Sequence, residues 1–224
     1  MKVAILIYPG FTALDATGPF EVFNRLPQAE ITFISPDGGD VVADYPTFRL
    51  PSDAMADTAP PDVVVVAGGS RTHDQLGRED LREWLRACAE NSRVVSSVCT
   101  GALILGDAGL LEGRRATTHW YELESLRAFG AEPVSERVVS SDKVITCAGV
   151  SAGIDMALTV VAQLVDEEYA MATQLSIEYD PQPPFDAGSV RTAPEGVVQH
   201  LTEVMRAHYG PPWGERVAQA GTNR

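Results

Sequence analysis

Five short segments of the chain are apolar at consecutive rather than alternate positions: residues 3–8, 31–34, 63–67, 94–98 and 144–147. A strand with one wet face alternates apolar and polar residues, so these runs are expected in a parallel sheet covered on both faces. Between them the apolar positions recur at helical spacing. Residues 80–90 place Leu81, Trp84, Leu85 and Cys88 on one side of a predicted helix. Residues 100–111 form a largely apolar helix, 151–165 and 167–179 two longer ones, and 194–208 a last one. Pro19 suits a first helical turn, which predicts a helix over 19–26. Ser140-Ser141-Asp142 divides 138–139 from 143–146 and predicts a hairpin.

Strands and helices in alternation predict a doubly wound α/β sandwich with right-handed crossovers. The Pro- and Gly-rich stretch 180–189 is expected as an irregular arm. No internal repeat or low-complexity linker interrupts the pattern. One domain over 1–210 is expected, with 211–224 as a flexible tail.

Composition narrows the function classes. The 224 residues suit one α/β domain large enough to fold without disulfide or metal. With 17 basic and 31 acidic residues the net charge is −14, which repels nucleic acid and anionic membranes. The apolar run at the N-terminus is cut by Pro9-Gly10 and reads as a strand rather than a leader, and no stretch is long enough to cross a membrane. Three widely spaced cysteines, Cys88, Cys99 and Cys147, suggest free thiols in a reducing, cytoplasmic setting. No CxxC or HxxxH pair occurs, so a preformed zinc site is not expected.

The sharpest chemical signal is Val94-Val-Ser-Ser-Val-Cys99-Thr-Gly-Ala102. A β-branched strand runs into Cys99 and a helix begins at once, with Ser97 and Gly101 two residues to either side. Small residues there permit a tight strand-to-helix turn that leaves the middle side chain exposed, the geometry of a nucleophile elbow. A helix N-terminus favours a thiolate and can receive negative charge from a substrate. Most free cysteines are small buried hydrophobes, the role expected of Cys88 and Cys147.

A thiol nucleophile needs a proton partner. Of four histidines only His119 lies in a patterned stretch, Ala116-Thr-Thr-His-Trp120. Asp15, in the segment after the first strand, is the alternative, with Glu21 further along as a weaker one. In a parallel sheet that first connection opens on the same edge as the Cys99 turn. The glycines of Ala67-Gly68-Gly69-Ser70 end the third strand at that edge and let backbone approach a ligand.

These stretches together resemble the DJ-1/PfpI superfamily, and within it the isonitrile hydratase-like subfamily. The matching residues are Tyr8-Pro-Gly10, Leu14-Asp-Ala-Thr-Gly-Pro-Phe-Glu-Val22, Ala67-Gly-Gly69, Ser97-Val-Cys-Thr-Gly101, Ala108 to Trp120, Gly153-Ile-Asp155 and Glu178 to Gly188. They cover the chain to about residue 190. The resemblance implies a flavodoxin-like three-layer sandwich with a mainly parallel sheet, assembled as a homodimer. It implies Cys99 as nucleophile, Asp15 as general acid and base, and Thr100 hydrogen-bonded to that acid. Gly69, Ser70, Thr118 and His119 are the expected substrate contacts. The implied reaction adds water to an isonitrile, giving an N-substituted formamide without metal or organic cofactor.

Departures from the family pattern qualify this. Ala67 stands where many members have Pro, and Ser70-Arg71 is bulkier than in the hydratases, so Arg71 is expected to narrow the pocket. Thr100 in place of the His of PfpI-type proteases disfavours peptidase activity. Asp15 in place of Glu counts against a glyoxalase- or deglycase-like activity. A redox sensor or binding protein using an oxidisable Cys99 is the alternative of another class. The residues after Ser189 are too few for the DNA-binding module found fused to such domains.

Overall fold

The computed structural model describes residues 1–222. The chain runs β1 (Lys2–Leu6), α1 (Ala13–Phe23), β2 (Glu30–Ser35), β3 (Gly39–Val42), β4 (Arg49–Ala54), β5 (Val63–Val66), α2 (Glu79–Asn91), β6 (Val94–Ser97) and α3 (Gly101–Asp107). It continues with β7 (Arg115–Ala116), β8 (Glu132–Pro133), β9 (Val138–Ser141), β10 (Val144–Cys147), α4 (Ala152–Leu164), α5 (Glu167–Ser176), α6 (Glu195–Tyr209) and α7 (Trp213–Thr222). Short 3₁₀ turns at Thr72–Gln75 and Trp120–Phe129 complete the site-bearing half.

Eight strands form one sheet in the order β3-β4-β2-β1-β5-β6-β10-β9. The inner strands pair in parallel, β1 with β2 and β5, β5 with β6, and β6 with β10. The expected hairpin is present: Val144 faces Ser141 and Cys147 faces Val138 across an antiparallel pair. The fold is thus the doubly wound α/β sandwich that the apolar runs predicted, of the flavodoxin-like type that the resemblance implied.

The pleat explains why those runs are continuous. Val3, Ile5 and Ile7 point to one face and pack with Val22 and Phe23 of α1 and Met156 and Val160 of α4. Ala4, Leu6 and Tyr8 point to the other, against Leu81 and Leu85 of α2 and Leu103 of α3. All four valines of β5 are fully buried, two in each core. Burial of each contributes roughly 1.5–3 kcal/mol, offset by the entropy of ordering the chain.

Three expectations change. The first helix begins at Ala13, not at Pro19, so Pro19 lies inside it and Asp15 falls in its first turn rather than in a loop. An extra edge pair, β3 with β4, extends the sheet through sequences too polar to signal strands. The segment after Pro211 is ordered as α7 through the last described residue. Its start is fixed by side chains far away in sequence. Glu122 Oε2 accepts the Trp213 N–H at 2.9 Å, Ser125 Oγ accepts that of Gly214 at 2.9 Å, and Trp213 lies against the His73 ring. The N–H groups that open this helix are thus satisfied by partners that no local pattern reveals.

Candidate active site

β1, β5 and β6 lie side by side, and the connections leaving their carboxyl ends meet at one edge. The last of these is the elbow. Cys99 has φ of +55°, a left-handed conformation that side chains other than glycine rarely hold. Three bonds enforce it. The Cys99 N–H donates to Ala148 O at 3.1 Å, the Gly101 N–H to Val98 O at 3.0 Å, and the Thr118 hydroxyl to Cys99 O at 2.7 Å. Gly101 is required beneath the turn, because a Cβ there would sit 2.3 Å from Val66 O.

Asp15 approaches from α1 and is fully buried. Its Oδ2 accepts the Gly68 N–H at 2.9 Å, and its Oδ1 has no hydrogen-bond partner. Burial pushes its pKa up to about 7, the Gly68 bond draws it down, and the Asp44 carboxylate raises it again. The Cys99 thiol is a further neighbour whose hydrogen bonding favours the ionised acid. Burial, followed by the Asp15 charge, drives the Cys99 thiol well above its usual range. The Val150 and Thr100 N–H groups and the Thr100 hydroxyl act against that shift. Burial and the neighbouring carboxyl thus disfavour the preformed thiolate that the helix terminus suggested.

The Thr100 hydroxyl makes no bond to Asp15. It meets Thr72 Oγ1 at 2.6 Å and accepts the Gly69 N–H at 3.0 Å. Thr72 Oγ1 in turn meets Tyr8 Oη at 2.8 Å. This buried chain Tyr8–Thr72–Thr100 braces the Gly68-Gly69 turn against the elbow. A Cβ on Gly68 would come within 2.8 Å of Thr100 N, Thr100 Oγ1 and Asp15 Oδ2, so only glycine lets these groups converge. Tyr8, Thr72 and Val150 (φ +35°) are site residues that sequence reasoning missed. Their partners come from separate connections, which periodicity does not register.

A cavity of about 260 Å³ opens over Cys99, and Gly69, Ser70, Thr100 and His119 line it. The Gly69 N–H is occupied by Thr100 and Thr72 hydroxyls, and the Ser70 hydroxyl donates to Gly10 O at 3.2 Å. His119 Nδ1 accepts the Tyr121 N–H at 3.3 Å, so its proton sits on Nε2, and burial lowers its pKa. Thr118 does not line this cavity. It borders a neighbouring one, and its hydroxyl is committed to the Cys99 carbonyl. Arg71 does not narrow the cavity either: it lies against Gly10 and pairs with Asp74 at 2.7 Å. The roof comes from the C-terminal helices. Met205 and Tyr209 of α6 face Cys99 across the cavity, and the Tyr121 hydroxyl holds Gly210 O at 2.7 Å. Among the described residues no group of acidic, His and Cys side chains is arranged to hold a metal.

Comparison with known proteins places the chain in a family. The DJ-1/PfpI family model matches residues 1–163. The isonitrile hydratase of Pseudomonas putida is 40% identical over 198 residues, 88% of this chain and 87% of that protein. The HTH-type transcriptional regulator CdhR of Pseudomonas aeruginosa is 30% identical over 83% of this chain but only 55% of its own length. A crystal structure of a ThiJ/PfpI family protein from Pseudomonas syringae superposes with a TM-score of 0.88 at 36% identity, over 93% of this chain and 87% of that one. With an elbow cysteine, a buried acid beside it and this degree of likeness over most of its length, the chain belongs to the DJ-1/PfpI family.

Proposed function

We propose that this protein is an isonitrile hydratase, converting R–N≡C and water to R–NH–CHO, with Cys99 as nucleophile and Asp15 as the proton carrier. The observation that carries the reading is a thiol on a left-handed elbow beside a fully buried carboxyl with an unpartnered oxygen. The 40% identity to a protein of that activity supports the choice of substrate.

The chemistry follows from one proton and one carboxylate. Cys99 sulfur attacks the terminal isonitrile carbon as Asp15 removes the thiol proton. Asp15 then delivers that proton to the same carbon, giving the thioimidate R–N=CH–S–Cys99. Water adds to the imidate carbon, losing a proton to Asp15, which passes it to the nitrogen and is a carboxylate again. His119, neutral and protonated on Nε2, lines the cavity and can hydrogen-bond that nitrogen while keeping its proton. Collapse of R–NH–CH(OH)–S–Cys99 expels sulfur, which regains its proton from the hydroxyl through Asp15. The product is the formamide, and the enzyme returns to thiol and carboxylate.

Thr100, Thr72 and Tyr8 keep this pair in register, and Val150 and Thr100 N–H groups accept negative charge on sulfur. An oxidation sensor calls for an accessible thiol of low pKa. Cys99 is 5% exposed and raised in pKa, which favours the enzymatic reading.

The test is turnover. Purified protein given cyclohexyl isonitrile is expected to yield N-cyclohexylformamide, and quenched intermediates to show Cys99 heavier by one isonitrile. Formamide production absent here, with methylglyoxal consumed instead, overturns the reading.

We infer also that two copies pair through the C-terminal face. Val197, Leu201 and Val204 recur on one side of α6, all exposed, as are Leu175 of α5 and Phe185 of the arm. No residue of α6 is buried within the chain. An apolar stripe of this length is expected to be covered. Light scattering after gel filtration is expected to give a dimer mass, lost in Leu201→Glu; a monomer at micromolar concentration refutes the pairing.

A further inference from the structure

The cavity over Cys99 has a charge and a wall chemistry that the hydration reaction itself does not require. Among its described lining residues none is Lys or Arg. Two carboxylates border it, Asp44 and Glu122. Glu122 is buried and committed to local partners, with Oε1 on His73 Nε2 at 3.0 Å and Oε2 on the Ser125 hydroxyl and the Trp213 N–H. Asp44 is different. It is exposed at the cavity edge, its only side-chain bond is the Thr12 hydroxyl at 2.9 Å, and no cation pairs with it among the described residues.

Asp44 is also held in place rather than adrift. Its N–H donates to Phe11 O at 2.8 Å, and the preceding Ala43 bridges to Phe11 and bonds Phe48 O. Its charge reaches the reacting centre, since it raises the pKa of Asp15. The remaining wall is rich in π-faces, with Tyr121, Tyr209 and His119 around the same space. A carboxylate set among aromatic rings, with no competing cation, is the environment that favours an organic ammonium group.

We propose that the physiological substrate carries a cationic substituent, read by Asp44 and the aromatic wall, and that an anionic substituent is rejected. This rests on the isonitrile hydratase reading and names its substrate class. Isonitrile carbon is attacked at one end of the molecule, so the distal group is free to lie toward the cavity edge.

Three probes of similar reach separate the possibilities: (2-isocyanoethyl)trimethylammonium, its neutral isostere 3,3-dimethylbutyl isonitrile, and 3-isocyanopropanoate. The wild type is expected to rank them cation, neutral, anion in kcat/KM, with a cation-to-neutral ratio of about 3- to 10-fold, the size of one partly screened charge contact. Asp44→Asn keeps the acceptor for Thr12 and is expected to bring that ratio to about 1. Asp44→Lys is expected to reverse the order of cation and anion. A wild-type ratio near unity, or a preference that neither substitution moves, overturns the proposal while hydration of the neutral isostere leaves the hydratase reading intact. Hydration of none of the three overturns both.

Discussion

Cys99 and Cys147 end neighbouring parallel strands, β6 and β10, and by most local measures they are alike. Both are buried, both thiols are pushed upward in pKa first by burial, and both feel the Asp15 charge. Neither is in a disulfide. Their difference is one backbone conformation. Cys147 completes its strand in register with Val138 and is fully buried in the core that Cys99 also borders. Cys99 leaves the strand at positive φ, which brings its sulfur to the cavity. On the proposed reading it is the turn presenting the thiol, and not a lowered pKa, that sets Cys99 apart.

The most severe test removes each thiol in turn. Cys99→Ala is expected to lower isonitrile turnover by about 10³-fold or more, because no other group can form the thioimidate. Cys147→Ala is expected to retain most turnover and to cost about 1 kcal/mol of stability through a small cavity. Comparable losses of kcat in both variants, with both folded by circular dichroism, would break the comparison.

Next in size is the base. Asp15→Asn keeps an oxygen for the Gly68 N–H but cannot carry the proton, and kcat is expected to fall about 10²- to 10⁴-fold. The wild-type reaction starts from ionised Asp15, whose pKa is about 7. So kcat/KM is expected to rise with pH through about 7 and level above it. In Asp15→Asn that acid limb disappears. A wild-type rate that falls as pH rises from 6 to 8 contradicts the assignment of Asp15 as base.

The same substitution acts on folding with the opposite sign. Asp15 has a folded pKa above its ordinary value of 3.8, so the fold holds the proton more tightly than the unfolded chain does. Below about pH 4 both states are protonated and the group costs nothing. Between about 4 and 7 the unfolded chain ionises first and stability declines, levelling out above 7. Asp15→Asn is therefore expected to be more stable than wild type at pH 8 by a few kcal/mol, with a gain that shrinks toward pH 4. Urea midpoints at the two pH values measure it. An equal gain at both, or a loss at pH 8, shows that ionisation of Asp15 is not what strains the fold.

How far the site was legible in the sequence follows the same division between local and distant causes. The parallel sheet was readable because its strands are apolar on both faces, and the elbow because Ser97, Cys99 and Gly101 carry the turn in five residues. The position of Asp15 on a helix was obscured by Pro19, which ordinarily opens a helix and here lies within one. Strands β3 and β4 were hidden by Gly39 and Asp40, on the edge strand, and by Pro51, which lies outside the stretch of β4 that pairs with β2. Thr72 and Tyr8 were missed because what makes them part of the site is each other, across 64 residues of chain. Helix α7 follows Gly210-Pro211-Pro212, a sequence that reads as a stop, and the carboxylate that starts it belongs to Glu122.

The finest test returns to the two cysteines through the dipeptide that supports both. The Thr117 N–H donates to the Thr146 hydroxyl at 2.9 Å, bracing the strand that ends in Cys147. The Thr118 hydroxyl donates to the Cys99 carbonyl at 2.7 Å, bracing the elbow. Both bonds are buried: Thr146→Val orphans the Thr117 N–H, and Thr118→Val leaves Cys99 O with only the long Ala102 N–H bond at 3.4 Å, each at a cost of about 1–3 kcal/mol. If the left-handed turn is what distinguishes Cys99, the two losses differ in kind. Thr118→Val is expected to lower kcat about tenfold with little change in KM, because the sulfur is then presented less often in attacking geometry. Thr146→Val is expected to lower stability by a similar amount while kcat falls less than twofold. Equal kcat losses at matched stability would mean that the elbow is held by the sheet as a whole, and that the Thr118 bond is one packing contact among many.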